Sequence, residues 1–308
     1  SGDVTLYSYT TANVVAATYQ APANNSVLST STATLKWTYG ANNTVTHYQV
    51  LFGTGKNNLD VVQDWAEIPT VGTGLGDGTY TTATLTNNTK YYWQVNVKQG
   101  VDSTALEGKV WGFVSLLDIP QNVTTDAISY DGTAHITWDA IADATSYNIY
   151  VDGTLYSTVN TNVADIANLV YNGGNAYSIQ ITAVYEFDGD TYESDKSDAV
   201  EVTTIGYGMI KVFVKDYKDN RLNGVSITLS GKDISGNDKE YTFTTNANGT
   251  YTSSKPEICE GTYTVTISKD LYFTQTIENV VIVNNETRDL GTIILHSMAI
   301  FNVTVNDI

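Results

Sequence analysis

The stretch WDAIADATSYNIYVDG (Trp138–Gly153) places a tryptophan, two tyrosines and three aspartates within sixteen residues. It reads either as an acidic site or as a scaffold that resembles one. Tyr147, Ile149 and Val151 alternate with polar or exposed-type neighbours, the period-2 pattern of a half-buried strand. Asp152-Gly153 follows at once, and this pair accepts the positive φ that a two-residue hairpin demands. Trp138 closes an earlier alternating run, HITWD (135–139). The intervening DAIADAT is then a loop, where aspartate bonds to nearby backbone and suits turns. On this reading the stretch is strand, loop, strand and turn.

The same pattern extends in both directions. Short alternating runs occur at TLKWTY (34–39), HYQVLFG (47–53), YYWQVNV (91–97), VWGFVS (110–115), YSIQITAV (177–184) and VEVTT (200–204). No stretch keeps helical spacing for more than about two turns. Asp188-Gly189, Asn172-Gly173 and Asn248-Gly249 add turn signals of the hairpin type. Many short strands at this spacing predict an all-β chain of antiparallel sandwiches. The breaks SLLDIPQ (115–121) and TTIGYG (203–208) are short and partly apolar, which predicts a semi-rigid rod.

Residues 20–116 and 117–204 each resemble a fibronectin type III domain, an Ig-like sandwich. In the first, Leu85, Thr89, Tyr91, Trp93 and Val95 match the family's Leu-x-x-x-Thr-x-Tyr-x-Trp/Phe-x-Val stretch. The resemblance implies that the Tyr91 hydroxyl bonds to upstream backbone while Trp93 and Val95 face the core. In the second, Trp138 matches the buried strand-B tryptophan, with Tyr147, Ile149 and Val151 on strand C and Tyr177, Ile179 and Ile181 on strand F. Leu169 lies eight residues before Tyr177, a departure from the family's spacing.

Residues 206–297 are similar to the carboxypeptidase regulatory-like (transthyretin-like) sandwich. The matching stretches are GMIKVFVKD (208–216), LNGVSITLS (222–230), TNANGTY (245–251) and GTYTVTISK (261–269), with Asn246 where that family usually has aspartate. The expected organisation is therefore three tandem antiparallel β-sandwiches at 20–116, 117–205 and 206–297. An N-terminal strand segment (1–19) and a C-terminal strand segment (298–308) flank them.

The net charge of -18 argues against nucleic acid and anionic lipid as partners. The charge is concentrated: residues 117–205 hold fourteen acids and one base, Lys196, whereas residues 206–308 hold twelve acids and nine bases. No run of about 18 apolar residues exists, so membrane insertion is not expected. The single Cys259 cannot form an internal disulfide. Seven Asn-x-Ser/Thr sequons occur, at Asn24, Asn42, Asn87, Asn122, Asn248, Asn285 and Asn302. The opening SGDV lacks Met and reads as processed or excised.

Chemistry-bearing constellations are few. His47, His135 and His296 fall in three different units, with no pair at metal-ligand spacing. VGTGLGDG (71–78) has Gly-x-Gly spacing, but a strand-like TYTTATL follows it where a phosphate loop needs a helix. In EFDGDTYESDKSD (186–198), Asp188, Asp190, Glu193 and Asp195 are the candidate calcium ligands. The alternative, favoured here, is a solvated acidic loop that keeps the protein soluble, with Asp188-Gly189 as a hairpin turn. Trp65, in VVQDWAEIP (61–69), is the tryptophan least explained by a core strand. It is the candidate contact for a sugar or a partner.

These features predict a non-catalytic extracellular or cell-surface structural and adhesion rod. It would mediate protein or surface interaction or assembly, with no catalytic residues and no cofactor beyond the calcium candidates. Its partners would be proteins or neighbouring subunits, with carbohydrate as a variant. Three alternatives remain open: an accessory segment of a larger secreted peptidase or glycosidase, a virion surface or fibre protein, and a filament subunit assembled by β-strand addition. The last rests on the ends. DVTLYSYT (3–10) and MAIFNVTVND (298–307) read as strands without a sandwich of their own, and a strand's N–H and C=O groups need partners.

Overall fold

The computed structural model describes residues 13–40, 43–71 and 74–298. The end strands expected at 3–10 and 298–307 lie outside the described residues, except for Met298. No helix occurs among the described residues.

The first unit contains β1 (Thr18–Ala21), β2 (Ser26–Val27), β3 (Thr34–Thr38), β4 (His47–Gly55), β5 (Asn58–Glu67), β6 (Thr70–Val71), β7 (Gly74–Leu75), β8 (Gly78–Thr81), β9 (Lys90–Lys98) and β10 (Trp111–Val114). A three-stranded sheet, β1-β3-β8, packs on a five-stranded sheet, β2-β10-β9-β4-β5, and β6-β7 forms a small ribbon. Inward positions alternate along each strand. Leu35 and Trp37 from one sheet meet Val50, Trp93, Val95 and Phe113 from the other in one core. Trp93 stacks on Tyr19 at 4.2 Å between ring centroids and meets Trp111 edge-on. β1 begins at Thr18, so the first sandwich takes in residues ahead of position 20. Asn43 ties the preceding chain down as well, donating its amide to Val15 O and accepting from Val15 N.

The second unit repeats this plan. Its strands are β11 (Thr124–Thr125), β12 (Ile128–Ser129), β13 (Ala134–Thr137), β14 (Ser146–Val151), β15 (Thr154–Val159), β16 (Val163–Ile166), β17 (Ala176–Phe187), β18 (Asp190–Glu193) and β19 (Val200–Thr204). The sheets are β11-β13-β16 and β12-β19-β17-β14-β15, with β18 also paired to β17. Trp138, Tyr147, Ile149, Ile179 and Ile181 lie in its core. The opening question is thus settled in favour of scaffold, with strand β14 where the alternation predicts it.

The third unit has β20 (Tyr207–Asp216), β21 (Ser226–Asp233), β22 (Asp238–Thr244), β23 (Thr250–Thr252), β24 (Ile258–Cys259), β25 (Gly261–Ser268), β26 (Gln275–Ile282) and β27 (Thr287–Leu295). β20 pairs with β23 and β24, and with β27; the facing sheet is β22-β21-β25-β26. Ile210, Val212 and Val214 face Ile227, Leu229, Val265 and Ile267 in a third separate core.

Each sandwich holds one parallel pair, β2 with β10, β12 with β19 and β20 with β27, where purely antiparallel pairing was expected. In each unit an early strand lies beside the last one and runs the same way. The Tyr91 hydroxyl is used as the resemblance implied, and the Tyr177 hydroxyl makes the corresponding bond. Tyr91 Oη accepts from Thr86 N (3.1 Å), and Tyr177 Oη donates to Val170 O (2.8 Å) despite the altered spacing. Asp152-Gly153 and Asp188-Gly189 are two-residue hairpins with positive φ at both positions. Asn172-Gly173 and Asn248-Gly249 instead lie in connections that cross from one sheet to the other, where the same conformational freedom serves a wider turn. Asn246 replaces the family's aspartate without loss of its acceptor: its side-chain oxygen accepts from Asn248 N, Thr250 N and Thr250 Oγ1.

Candidate functional site: the two interdomain junctions

Clusters of polar and charged side chains lie where the sandwiches meet. At the first junction the linker is held against both units: Ser115, Leu117 and Pro120 are buried, Leu116, Asp118 and Ile119 half-buried, and Leu117 joins the second core. Asp118 bridges the two units. Its carboxylate accepts from the amides of Asn87 (2.8 Å) and Asn88 (2.6 Å), its N–H donates to Asn88 Oδ1, and its carbonyl accepts from Tyr185 Oη.

Beside this bridge, Lys90 at the start of β9 is buried, with its ammonium aimed at the second unit. Nζ lies 3.3 Å from Asp188 Oδ2, 3.6 Å from Asp190 Oδ2 and 3.2 Å from Tyr192 Oη. Tyr92, two residues on and therefore on the same face, donates its hydroxyl to Asp188. Burial alone would pull the Lys90 pKa down, but the Tyr192 hydroxyl and the Asp188 carboxylate outweigh it and hold it above the ordinary value. The Tyr92 hydroxyl, against some burial and with help from Lys90, holds the Asp188 carboxyl below the ordinary value.

The second junction uses the same residue types. Tyr130, between β12 and β13, donates to Asp233 Oδ2 (3.0 Å) and accepts from Asn237 Nδ2 (3.1 Å), while Lys239 Nζ stands 3.9 Å above its ring. Tyr207 Oη donates to the Tyr130 carbonyl. Asp233 is buried and also accepts from Ser235 N (3.0 Å) and Asn237 N (2.9 Å). Burial pushes its carboxyl up, yet the Asn237 N–H, the Tyr130 hydroxyl and the Ser235 N–H bring it below the ordinary value. The Glu260 carboxylate of the third unit lies beside Tyr171 of the second and, with burial, pushes that phenol up to about 12.

The linker here is as closely held. Ile205, Gly206 and Gly208 are buried. A Cβ on Gly206 would come within 2.6 Å of Asn284 Cβ, and one on Gly208 within 2.4 Å of Val283 O. Only glycine allows the chain to pass so close to the β26–β27 turn.

The structure places the sequence candidates as follows. Asp188 and Asp190 remain exposed at the hairpin, as a solvated acidic loop would have them, and both also face Lys90 across the first junction. Glu193 turns elsewhere, its Oε1 accepting from Asn148, Tyr150 and Thr182. Asp195 lines a cleft with Leu28 and Leu117. No group of three or more His, Cys, Asp or Glu suited to a metal occurs among the described residues. Trp65 is half-buried on the edge strand β5, with Lys98 Nζ 4.4 Å from its ring centre. The histidines stay apart. His47 bonds to Thr46, His135 to Asp165 at 2.6 Å, and His296 stacks on Tyr217.

Residues that local pattern did not reveal are Lys90, Tyr92, Asp118, Tyr130, Asp233, Asn237 and Lys239. One signal was present: the second unit holds fourteen acids against one base, and two of those acids, Asp188 and Asp190, meet a cation of the first unit.

The family model for the carboxypeptidase regulatory-like domain matches residues 209–296, the third sandwich. No curated protein matches this chain. Among solved structures, a two fibronectin type III domain segment from chicken tenascin is similar at 17% identity and a TM-score of 0.37, covering 62% of this chain and 100% of that one. The fibronectin(III)-like modules of Clostridium thermocellum CbhA are similar at 14% identity and a TM-score of 0.32, covering 61% and 93%. A three-plus-five and a three-plus-six sandwich, each with a tyrosine corner, followed by a carboxypeptidase regulatory-like sandwich, form the architecture.

The junctions carry a pH window. The depressed pKa values of Asp188 and Asp233 contribute stability that is present above about pH 4 and lost as pH falls through their folded values. The raised pKa of Lys90 contributes stability that is present below about pH 10 and lost as pH rises through its folded value. Tyr171 behaves like Lys90, losing its contribution between about pH 10 and 12. Small-angle scattering is expected to give one invariant profile between these limits and a changed profile outside both. A profile that stays unchanged even where both carboxyls have become protonated would show that the carboxylates do not hold the junctions.

Proposed function

We propose that the chain is a non-catalytic structural and adhesion rod of the cell exterior. It presents three sandwiches in fixed order to proteins or to neighbouring subunits. The observation that carries this reading is the pair of junctions. Adjacent domains move relative to one another unless something holds them, and here both linkers are largely packed against their neighbours and both boundaries are closed by a tyrosine, an aspartate and a lysine. Such construction suits a spacer that must transmit position. The chemistry elsewhere supports the reading, because the described acids and histidines are engaged in local pairs or stand apart.

Limited digestion with a broad-specificity protease at neutral pH tests it. The rod is expected to resist cleavage in 115–121 and 203–208, because cleavage needs an accessible, locally opened backbone. Early release of single sandwiches by cuts in either linker would mean flexible beads, and the rod reading would fail.

A further inference from the structure

Asn-Gly is a pair with chemistry of its own. The glycine nitrogen can attack the preceding side-chain amide, because no Cβ hinders the approach. The chain holds three such pairs, Asn172-Gly173, Asn223-Gly224 and Asn248-Gly249. In two of them the attacking nitrogen is occupied. Gly224 N donates to Thr245 O (3.0 Å), and Gly249 N donates to Asn246 O (2.8 Å). Beside the first, Asn223 O accepts from Lys269 Nζ (2.8 Å). At the second, Gly249 is buried, and a Cβ on it would come within 2.5 Å of Val214 O. Either pair must break a backbone bond before its nitrogen can turn on the side chain, and such local opening costs free energy.

Asn172-Gly173 carries no such restraint. Residues 172–175 are all exposed. Gly173 N and the Asn172 side-chain amide have no hydrogen-bond partner among the described residues. A Cβ on Gly173 would have one neighbour within 4 Å, Asn175 Nδ2 at 3.9 Å, and one on Gly174 would have none. The bonds that form the turn end on Asn172 O, which accepts from Asn175 N (3.0 Å) and Asn175 Nδ2 (2.9 Å). They leave the reacting atoms free.

We infer that Asn172 is a site of self-modification in the folded protein, losing its side-chain amide to backbone attack ahead of Asn223 and Asn248. Gly173 N forms a bond to Asn172 Cγ and gives its proton to solvent base. The Cγ–Nδ2 bond breaks, and Nδ2 departs as ammonia with a proton returned by solvent. Water then opens the succinimide ring at either carbonyl, which leaves an aspartyl or an isoaspartyl residue at position 172. Nothing is oxidised or reduced, and water is the only co-reactant. The product adds a carboxylate to a unit that already holds fourteen acids against one base. It does so one residue from Tyr171, which lies beside Glu260 of the third unit. The inference needs only the folded second and third sandwiches and stands apart from the rod reading.

The test holds the 308-residue protein at mildly alkaline pH, folded and in parallel unfolded in urea. Peptide mass spectrometry reads conversion at each pair, and enzymatic methylation counts isoaspartate. In the folded protein, conversion at position 172 is expected to run at least severalfold ahead of positions 223 and 248. In urea, where the bonds of Gly224 and Gly249 are gone, the three rates should converge. Asn172→Gln should remove most of the isoaspartate signal that the folded protein forms. The inference is overturned if position 172 stays intact in the folded chain while the unfolded chain converts, or if Asn223 or Asn248 keeps pace with it. It is equally overturned if Asn172 leads by the same factor in urea, because the fold would then have no part in the choice, or if Asn172→Gln leaves the signal unchanged.

Discussion

Trp138→Ala is expected to lower the stability of the second sandwich by about 3–5 kcal/mol, the range for removing a large buried aromatic. Trp138 is 3% exposed and meets Tyr147 edge-on at 5.2 Å. Its neighbours come from strands of both sheets, so they cannot close the space without moving the sheets together. The indole N–H has no partner within the protein, so the loss is one of packing and not of a hydrogen bond. Trp65→Ala should cost less than about 1 kcal/mol, because that ring sits on an edge strand with a lysine over it and its loss opens no enclosed cavity. Urea denaturation of the two variants separates the cases, and equal losses would mean that one of the two tryptophans has been assigned to the wrong environment.

Asp233→Ala is expected to cost about 2–3 kcal/mol, in the range for hydrogen bonds to a charged acceptor. Its side chain is fully buried and receives two backbone N–H groups and the Tyr130 hydroxyl, with Lys239 at 3.9 Å. Alanine leaves all of these donors without their protein acceptor. Asp233→Asn keeps an acceptor oxygen but removes the charge, and should fall between the two. Melting followed by calorimetry on the whole chain checks this; an Asp233→Ala variant that melts with the parent would show that the second junction contributes nothing to stability.

How much of this was legible in the sequence depends on distance along the chain. The strands around Trp37, Trp93 and Trp138 follow from period-2 alternation, and the hairpins at Asp152-Gly153 and Asp188-Gly189 from the conformational freedom of those pairs. Both are local signals. The junctions are different. Lys90 meets Tyr192 across 102 positions and Tyr130 meets Asp233 across 103. No local pattern encodes such a pairing, which is why the sequence showed the exposed hairpin of Asp188 and Asp190 but not their contact with Lys90. Only the missing cations of the second unit pointed across the boundary. The crossing turns at Asn172-Gly173 and Asn248-Gly249 were read as hairpins because positive φ says what a residue can do and not which strands it joins.

The most direct test of the central claim is a distance measured across both junctions. Spin labels at Asn57→Cys in the first sandwich and Ala247→Cys in the third occupy exposed positions, and the native Cys259 is buried. Pulsed dipolar spectroscopy on this pair is expected to give one narrow distance distribution at neutral pH. Lys90→Met combined with Tyr130→Phe should broaden it, while each sandwich keeps its fold. A broad distribution in the parent protein, or a narrow one that the two substitutions leave unchanged, would contradict the account.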